Sequence, residues 1–299
     1  MIKNIKAFIK SNYIVKKMLY YRQVIRYKFY AEKAIKKVYK QTRGKEINLV
    51  SPKILSEKLT YINLYSQHKL ATKLSDKYEM RDYIKKQGYE DLLVELIDVY
   101  DSVDKINFDL LPKKFALKCT HGCGYNIICK NKDELNIKKV KKQLSRWLNE
   151  NFAYFCIEKH YEHIKPRIIC EKYIEAFDSS SIIDYKMFCI NGKVQITQCC
   201  SDRENELKLS YYDINWSKLD YSNREIDKNI IIKKPNNYDK MLEVATNLSS
   251  KFKFVRVDFY ETKNRILLGE LTFTPAACNL TYLSEKAEIE LGNLLNLNI

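Results

Sequence analysis

From residue 112 onward, apolar and polar positions alternate in short runs, the pattern of half-buried strands. The runs are KFALK (114–118), YNIIC (125–129), RIICEKYI (167–174), IIDYKMFCI (182–190), KVQITQC (193–199), FVRVDFY (254–260) and ILLGELTFTP (266–275). Asn191-Gly192, between two of them, is a two-residue hairpin signal. Helical spacing predicts helices at about 136–160, 237–251 and 283–295. Upstream, LSEKLTYINLYSQHKLATKL (55–74) and SDKYEMRDYIKKQG (75–88) read as helices, the second capped by Asp76 and stopped at Gly88. LLVELIDV (92–99) reads as a strand. The expected organisation is α+β: a helical arm over 1–45, an α/β region over 46–111 and a β-rich domain over 112–299.

The last two runs carry candidate chemistry. Val255, Val257 and Phe259 share a strand face with Leu271 and Phe273, while Arg256, Asp258, Glu270 and Thr272 fall on the other. A turn over 261–265 brings Asp258 or Arg256 opposite Glu270, within about 5–8 Å. Two carboxylates beside an arginine suit a divalent metal carrying phosphate oxygens. An ordinary amphipathic hairpin with a solvated polar face has the same pattern.

Lys118 ends a strand over a loop holding Thr120, His121, Gly122 and Gly124. Such glycines let backbone amides close on phosphate, and a lysine adds the point charge. No GxxxxGK[ST] loop occurs, and the alternating Cys119, His121 and Cys123 lack the second pair that a zinc site needs. In CEKYIEAF (170–177), Glu171 and the backbone near Ile174 could supply the acceptor and amide that adenine requires, as could many exposed strand ends. Lys186 stands on the polar side of an apolar strand, and Arg203 follows downstream.

Composition narrows the class. The 299 residues are 45% hydrophobic, without the roughly 20-residue apolar run of a membrane span. Nine cysteines are scattered rather than paired, which predicts a cytoplasmic protein with free thiols. The net charge of +16 is concentrated in residues 1–45, where fourteen Lys and Arg face a single acid, Glu32. Tyrosines and phenylalanines interleave with those bases. Such an arm suits an anionic membrane surface, the reading favoured here, ahead of packing on the main domain; nucleic acid comes last.

Taken in order, LSEKLTYINLY, DKYEMRDYIKK, KCTHGCGYNIIC, the EKYIE segment, DYKMFCING, MLEVATNL and VRVDFY…GELTFTP resemble the ATP-grasp superfamily. More narrowly they are similar to its TupA-like (teichuronopeptide biosynthesis) family, from about Ser51 to the end. The resemblance implies an ATP-grasp fold, two α+β subdomains gripping ATP. It implies that Lys118 binds phosphates under the loop with Thr120, His121, Gly122 and Gly124. Glu171 and the backbone of Tyr173 and Ile174 would hold adenine, and Asp178 or Glu175 the ribose. Lys186 and Arg203 would face the phosphate or acyl phosphate, Arg256 the transferring phosphoryl group, and Asp258, Glu270 and Thr272 would hold Mg²⁺. Many ATP-grasp ligases have Glu-x-Asn and then Pro-Gly; here Glu270-Leu271-Thr272 and Pro275-Ala276 stand instead, so a second magnesium would be held differently. The implied function is a carboxylate–amine ligase acting on a surface polysaccharide or its precursor, cytoplasmic and peripheral to the membrane. A sugar kinase of the same fold and a non-catalytic assembly protein are the alternatives.

Overall fold

The structure is a computed structural model that describes residues 13–175, 182–203, 205–263 and 265–297. The helices are α1 (Tyr13–Arg43), α2 (Leu55–Tyr65), α3 (Ala71–Ser75), α4 (Glu79–Lys86), α5 (Ile137–Leu148), α6 (Phe152–Cys156), α7 (Tyr238–Ser249) and α8 (Glu285–Leu294). The strands are β1 (Leu96–Tyr100), β2 (Phe115–Cys119), β3 (Asn126–Cys129), β4 (Ile168–Lys172), β5 (Asp184–Ile190), β6 (Lys193–Ser201), β7 (Lys208–Tyr212), β8 (Lys218–Leu219), β9 (Phe254–Glu261) and β10 (Ile266–Thr272). They form a four-stranded sheet, β1-β4-β2-β3, and a six-stranded sheet, β10-β9-β5-β6-β7-β8, each antiparallel throughout.

Most strand expectations hold within a few residues, and Asn191 and Gly192 both take positive φ in the tight β5–β6 turn. Asp76 accepts the Tyr78 and Glu79 amides (2.8 and 3.3 Å) at the start of α4. Three expectations change. The helix expected over 55–74 breaks into α2 and α3 after Ser66, and the one over 136–160 into α5 and α6, where Asn151 caps a new start by accepting the Ala153 amide (3.1 Å). The strands β7 and β8 were not expected; they extend the large sheet beyond β6.

Each face of the large sheet has its own partner. Tyr185, Met187, Cys189, Val255, Val257 and Phe259 point into a core closed by α3, α4 and α7. On the opposite face, Phe188, Ile190, Ile196 and Phe254 lie under α2 and α8. Lys186, Arg256 and Asp258 sit on that second face, in register with one another, beside this apolar cover rather than among it. In the small sheet, Phe115, Leu117, Ile168 and Cys170 pack on Val140 and Leu144 of α5. Alternation turns Lys118 and Glu171 to the other side.

The basic arm divides in two. Its second half is part of the body: Tyr27 packs among Ala153, Ile157, Tyr161 and Ile164, and Tyr39 among Ile47, Leu49 and Leu64. Arg26 donates to the carbonyls of Tyr154 and Phe155 (3.2 and 2.6 Å), and Arg43 reaches the buried Glu288 (2.5 Å). The packing reading therefore holds for Tyr27 and Tyr39. No helix among the described residues is long and apolar enough to cross a membrane.

Candidate active site

The C-terminal hairpin supplies a dense charge cluster. Asp258 stands directly across from Glu270, and Arg256 from Thr272. An irregularity at Gly269 makes this possible: Leu268 pairs with Phe259 on the core face, and the extra residue turns Glu270 to the polar face opposite Asp258. A Cβ at 269 would come within 2.9 Å of the Tyr260 ring, so the irregularity has room only for glycine as packed. On the other side of β9, Lys186 of β5 pairs with Asp258. Lys186, Asp258 and Glu270 thus form one row across three neighbouring strands.

Arg256 binds both oxygens of Asp258, Nε to Oδ1 and Nη2 to Oδ2, each at 2.6 Å. The same Nη2 reaches Glu270 Oε1 and Thr272 Oγ1, both at 3.2 Å. Lys186 also bonds Asp258 and lies 3.7 Å from Asp184, to which Arg203 is paired. Burial alone would raise the Asp258 carboxyl, but Arg256 and Lys186 outweigh it and hold it at about 2. Burial likewise works against the Lys186 ammonium, and Asp258 reverses that, so its pKa rises. Both groups are charged at neutral pH.

Lys118 meets a second cluster. Its ammonium bonds Glu171 Oε2 (2.7 Å), and Arg81 of α4 takes Oε1 (3.1 Å) while donating to the Val94 carbonyl (2.7 Å). The Glu171 side chain is thus engaged by two cations, and its backbone is paired within the sheet between β1 and β2, with Tyr173 and Ile174 following just beyond the end of β4. Glu175 makes an exposed pair with Lys114 (2.8 Å). Asp178 lies outside the described residues.

The loop after β2 departs from its expected role in its side chains. Thr120 is buried, its hydroxyl donating to the Lys165 carbonyl (3.2 Å). His121 is buried too, its Nε2 2.9 Å from the Trp147 carbonyl and its Nδ1 unpartnered. Both side chains turn inward, toward Lys165 and Trp147. What the loop presents is backbone and the exposed Cys123, which feels Glu270, Lys77 and Arg256. A Cβ on Gly122 would sit 2.9 Å from the Tyr125 ring and 3.0 Å from Phe152, and Gly124 takes a φ of +74°.

Two cations were missed by sequence reasoning. Lys77 donates to the Gly122 carbonyl (2.6 Å), tying the loop down, and Arg81 holds Glu171. Their spacing of four residues at the start of a helical segment is the signal that could have paired them on one face.

Among the described residues, no group of three or more His, Cys, Asp and Glu side chains is placed to hold a metal ion. The oxygen donors of Asp258, Glu270 and Thr272 nevertheless fit magnesium, which takes one or two carboxylates and completes its shell with water and phosphate. Asp258 is ionised but holds Arg256 and Lys186 on its oxygens, so it would have to exchange one of them for the ion, whereas Glu270 is partly exposed.

The sequence model of the TupA-like ATP-grasp family matches residues 57–296. The chain belongs to this family. Its two sheets are accordingly the two halves of an ATP-grasp fold, with the glycine loop on one and the carboxylate hairpin on the other. The chain is also similar, at low identity, to several solved structures. D-alanine–D-alanine ligase from Bacillus anthracis, complexed with ATP, is 15% identical over 67% of this chain and 54% of its own, with a TM-score of 0.37. The Helicobacter pylori ligase is 16% identical over 81% and 69%, with a TM-score of 0.40. D-cycloserine synthetase DcsG is 12% identical over 76% and 70%, with a TM-score of 0.42. The TupA-like chain thus spans between about half and 70% of these proteins' lengths. A search among curated proteins found no match.

One buried carboxyl near the site gives a pH prediction. Glu158 accepts a hydrogen bond from Thr274, just beyond β10. Burial, with Glu270 adding to it, raises its pKa from 4.5 to about 7, against the hydrogen bonds of Thr274 and Cys156. A carboxyl raised on folding holds more protons folded than unfolded between those two values. Stability therefore falls as pH rises from about 4.5 to about 7, and the full penalty, roughly 3 kcal/mol at most, is present above that. Glu158→Gln should raise the melting temperature clearly at about pH 8 and little near pH 4.5. Equal effects at both pH values would contradict the buried neutral carboxyl.

Proposed function

We propose that this protein is an ATP-dependent carboxylate–amine ligase that forms an amide through an acyl phosphate. The observation that carries the proposal is the row Lys186, Asp258, Glu270 with Arg256 clamped beside it, below a loop held by Lys77. Asp258 and Glu270, with the Thr272 hydroxyl, would hold a magnesium ion, which when bound neutralises phosphate charge. Lys118 would leave Glu171 for a phosphate oxygen, Glu171 keeping Arg81 as its counter-charge. The Tyr173 and Ile174 backbone would receive adenine at the open strand end, and Asp178 or Glu175 would meet the ribose.

A substrate carboxylate oxygen then attacks the γ-phosphorus, and ADP leaves. Arg256 and Lys186 are placed to stabilise the charge that develops on the transferring group, with Arg203 beside Asp184 at the edge. An amine next attacks the acyl carbon, inorganic phosphate departs, and the nitrogen loses a proton. The acid is proposed to be a uronic acid of a surface polysaccharide or its precursor, and the amine an amino acid. Support for that substrate class is the family membership and nothing finer.

The test is ADP release with pooled uronic acids and pooled amino acids, supplied separately and together with magnesium. Release that needs both pools, with phosphate as co-product, is expected. Release with a sugar alone and no free phosphate would instead make the protein a sugar kinase. ATP that is not bound at all would leave it a non-catalytic assembly protein.

A further inference from the structure

The first half of α1 carries an apolar stripe turned away from the body. Met18, Tyr21, Ile25 and Phe29 follow one another at intervals of three and four, so they share an arc of roughly 80° on the helix. All four are exposed, at 66%, 53%, 50% and 74%. Tyr27 and Tyr20 lie on the opposite side, where both rings meet Tyr154. The helix is therefore docked by one face and leaves the other apolar face open to water. Exposed Lys17, Arg22 and Lys28 flank the stripe, and its stretch of helix contains no acid.

We infer that this stripe lies on an anionic membrane surface, with Met18, Tyr21, Ile25 and Phe29 in the boundary between headgroups and chains. Lys17, Arg22 and Lys28 then meet lipid phosphates. Charge selects this occupant. A second copy docked stripe to stripe would bring two sets of cations together with no acid between them, whereas an anionic bilayer supplies both the apolar layer and the countercharge. A nucleic acid would use the cations and leave Ile25 and Phe29 in water. The inference is independent of the ligase proposal, since none of these residues belongs to the charge cluster on the large sheet.

Flotation of the full chain with phosphatidylcholine vesicles, with and without about one-third phosphatidylglycerol, tests it. Binding is expected on the anionic vesicles at low salt only, weakening at least about tenfold near 0.5 M NaCl. The variant Tyr21→Ser/Ile25→Ser/Phe29→Ser should bind at least about tenfold more weakly with an unchanged melting temperature, because its three positions are exposed. Lys17→Gln/Arg22→Gln/Lys28→Gln should lose the anionic preference. Several results would overturn the inference: no binding by the full chain at low salt, or serine-variant binding equal to the parent's, which would leave charge alone responsible. A serine variant that melts much lower would make the stripe packing surface, and a dimer of the parent that the serine variant dissolves would make it a subunit contact.

Discussion

Glu270→Gln is expected to lower magnesium-dependent ATP turnover at least about 100-fold while leaving the melting temperature nearly unchanged. The Glu270 side chain is one-third exposed and shares only one nitrogen of Arg256, so loss of its charge disturbs little packing. Asp258→Asn should cost as much turnover but carry a stability cost of about 3 kcal/mol. Sequence reasoning treats both positions as surface-like, with little stability at stake for either, and the structure changes that for Asp258. It is buried and bonded to Arg256 and Lys186, and its neutralisation leaves two buried cations short of a counter-charge. Parallel melts and turnover assays separate the two effects. Near-normal turnover in a folded Glu270→Gln protein would remove the metal assignment.

Lys118→Ala should weaken ATP binding by about 10- to 100-fold, the worth of one charge-assisted hydrogen bond of roughly 1.5–3 kcal/mol. The fold should survive, because Glu171 retains Arg81. The ion pair with Glu171 sharpens the experiment: a purely structural Lys118 would lose stability and leave nucleotide affinity untouched, and calorimetric titration beside a melt distinguishes the two outcomes. Lys186→Met should weaken binding to a similar degree. Arg256 continues to neutralise Asp258 there, so the loss reports on the phosphate rather than on the carboxylate row.

Two features near these positions show why local pattern falls short of the site. Gly269 reads as one residue of an alternating strand, and strict alternation would place Glu270 on the same face as Leu268. The irregularity that turns it toward Asp258 depends on the ring of Tyr260 and on pairing with β9. Thr120 and His121 read as members of a phosphate loop, yet their side chains bond the carbonyls of Lys165 and Trp147, which are distant in sequence. Lys77 and Arg81 read as ordinary helix-surface cations until β2 and β4 bring Glu171 and the Gly122 carbonyl to them.

The sequence by itself determined most of the strands, the polar and apolar faces of the hairpin and the family to which the chain belongs. The choice of Asp258 over Arg256 as the residue opposite Glu270 came from the register of β9 and β10. Strand alternation and turn chemistry are local, because a side chain's face follows from its own position along the strand, and the Asn191-Gly192 turn needs only its two residues. Tertiary structure alone decided which charges are buried, which cation holds which carboxylate, and where the basic arm stops being a free surface. Tyr27 and Tyr39 carry the same residue type as Tyr21, yet two of them pack and one faces water. Burial depends on what the rest of the chain places against each ring, and desolvation, which sets the strength of every ion pair in the site, depends on the same non-local packing.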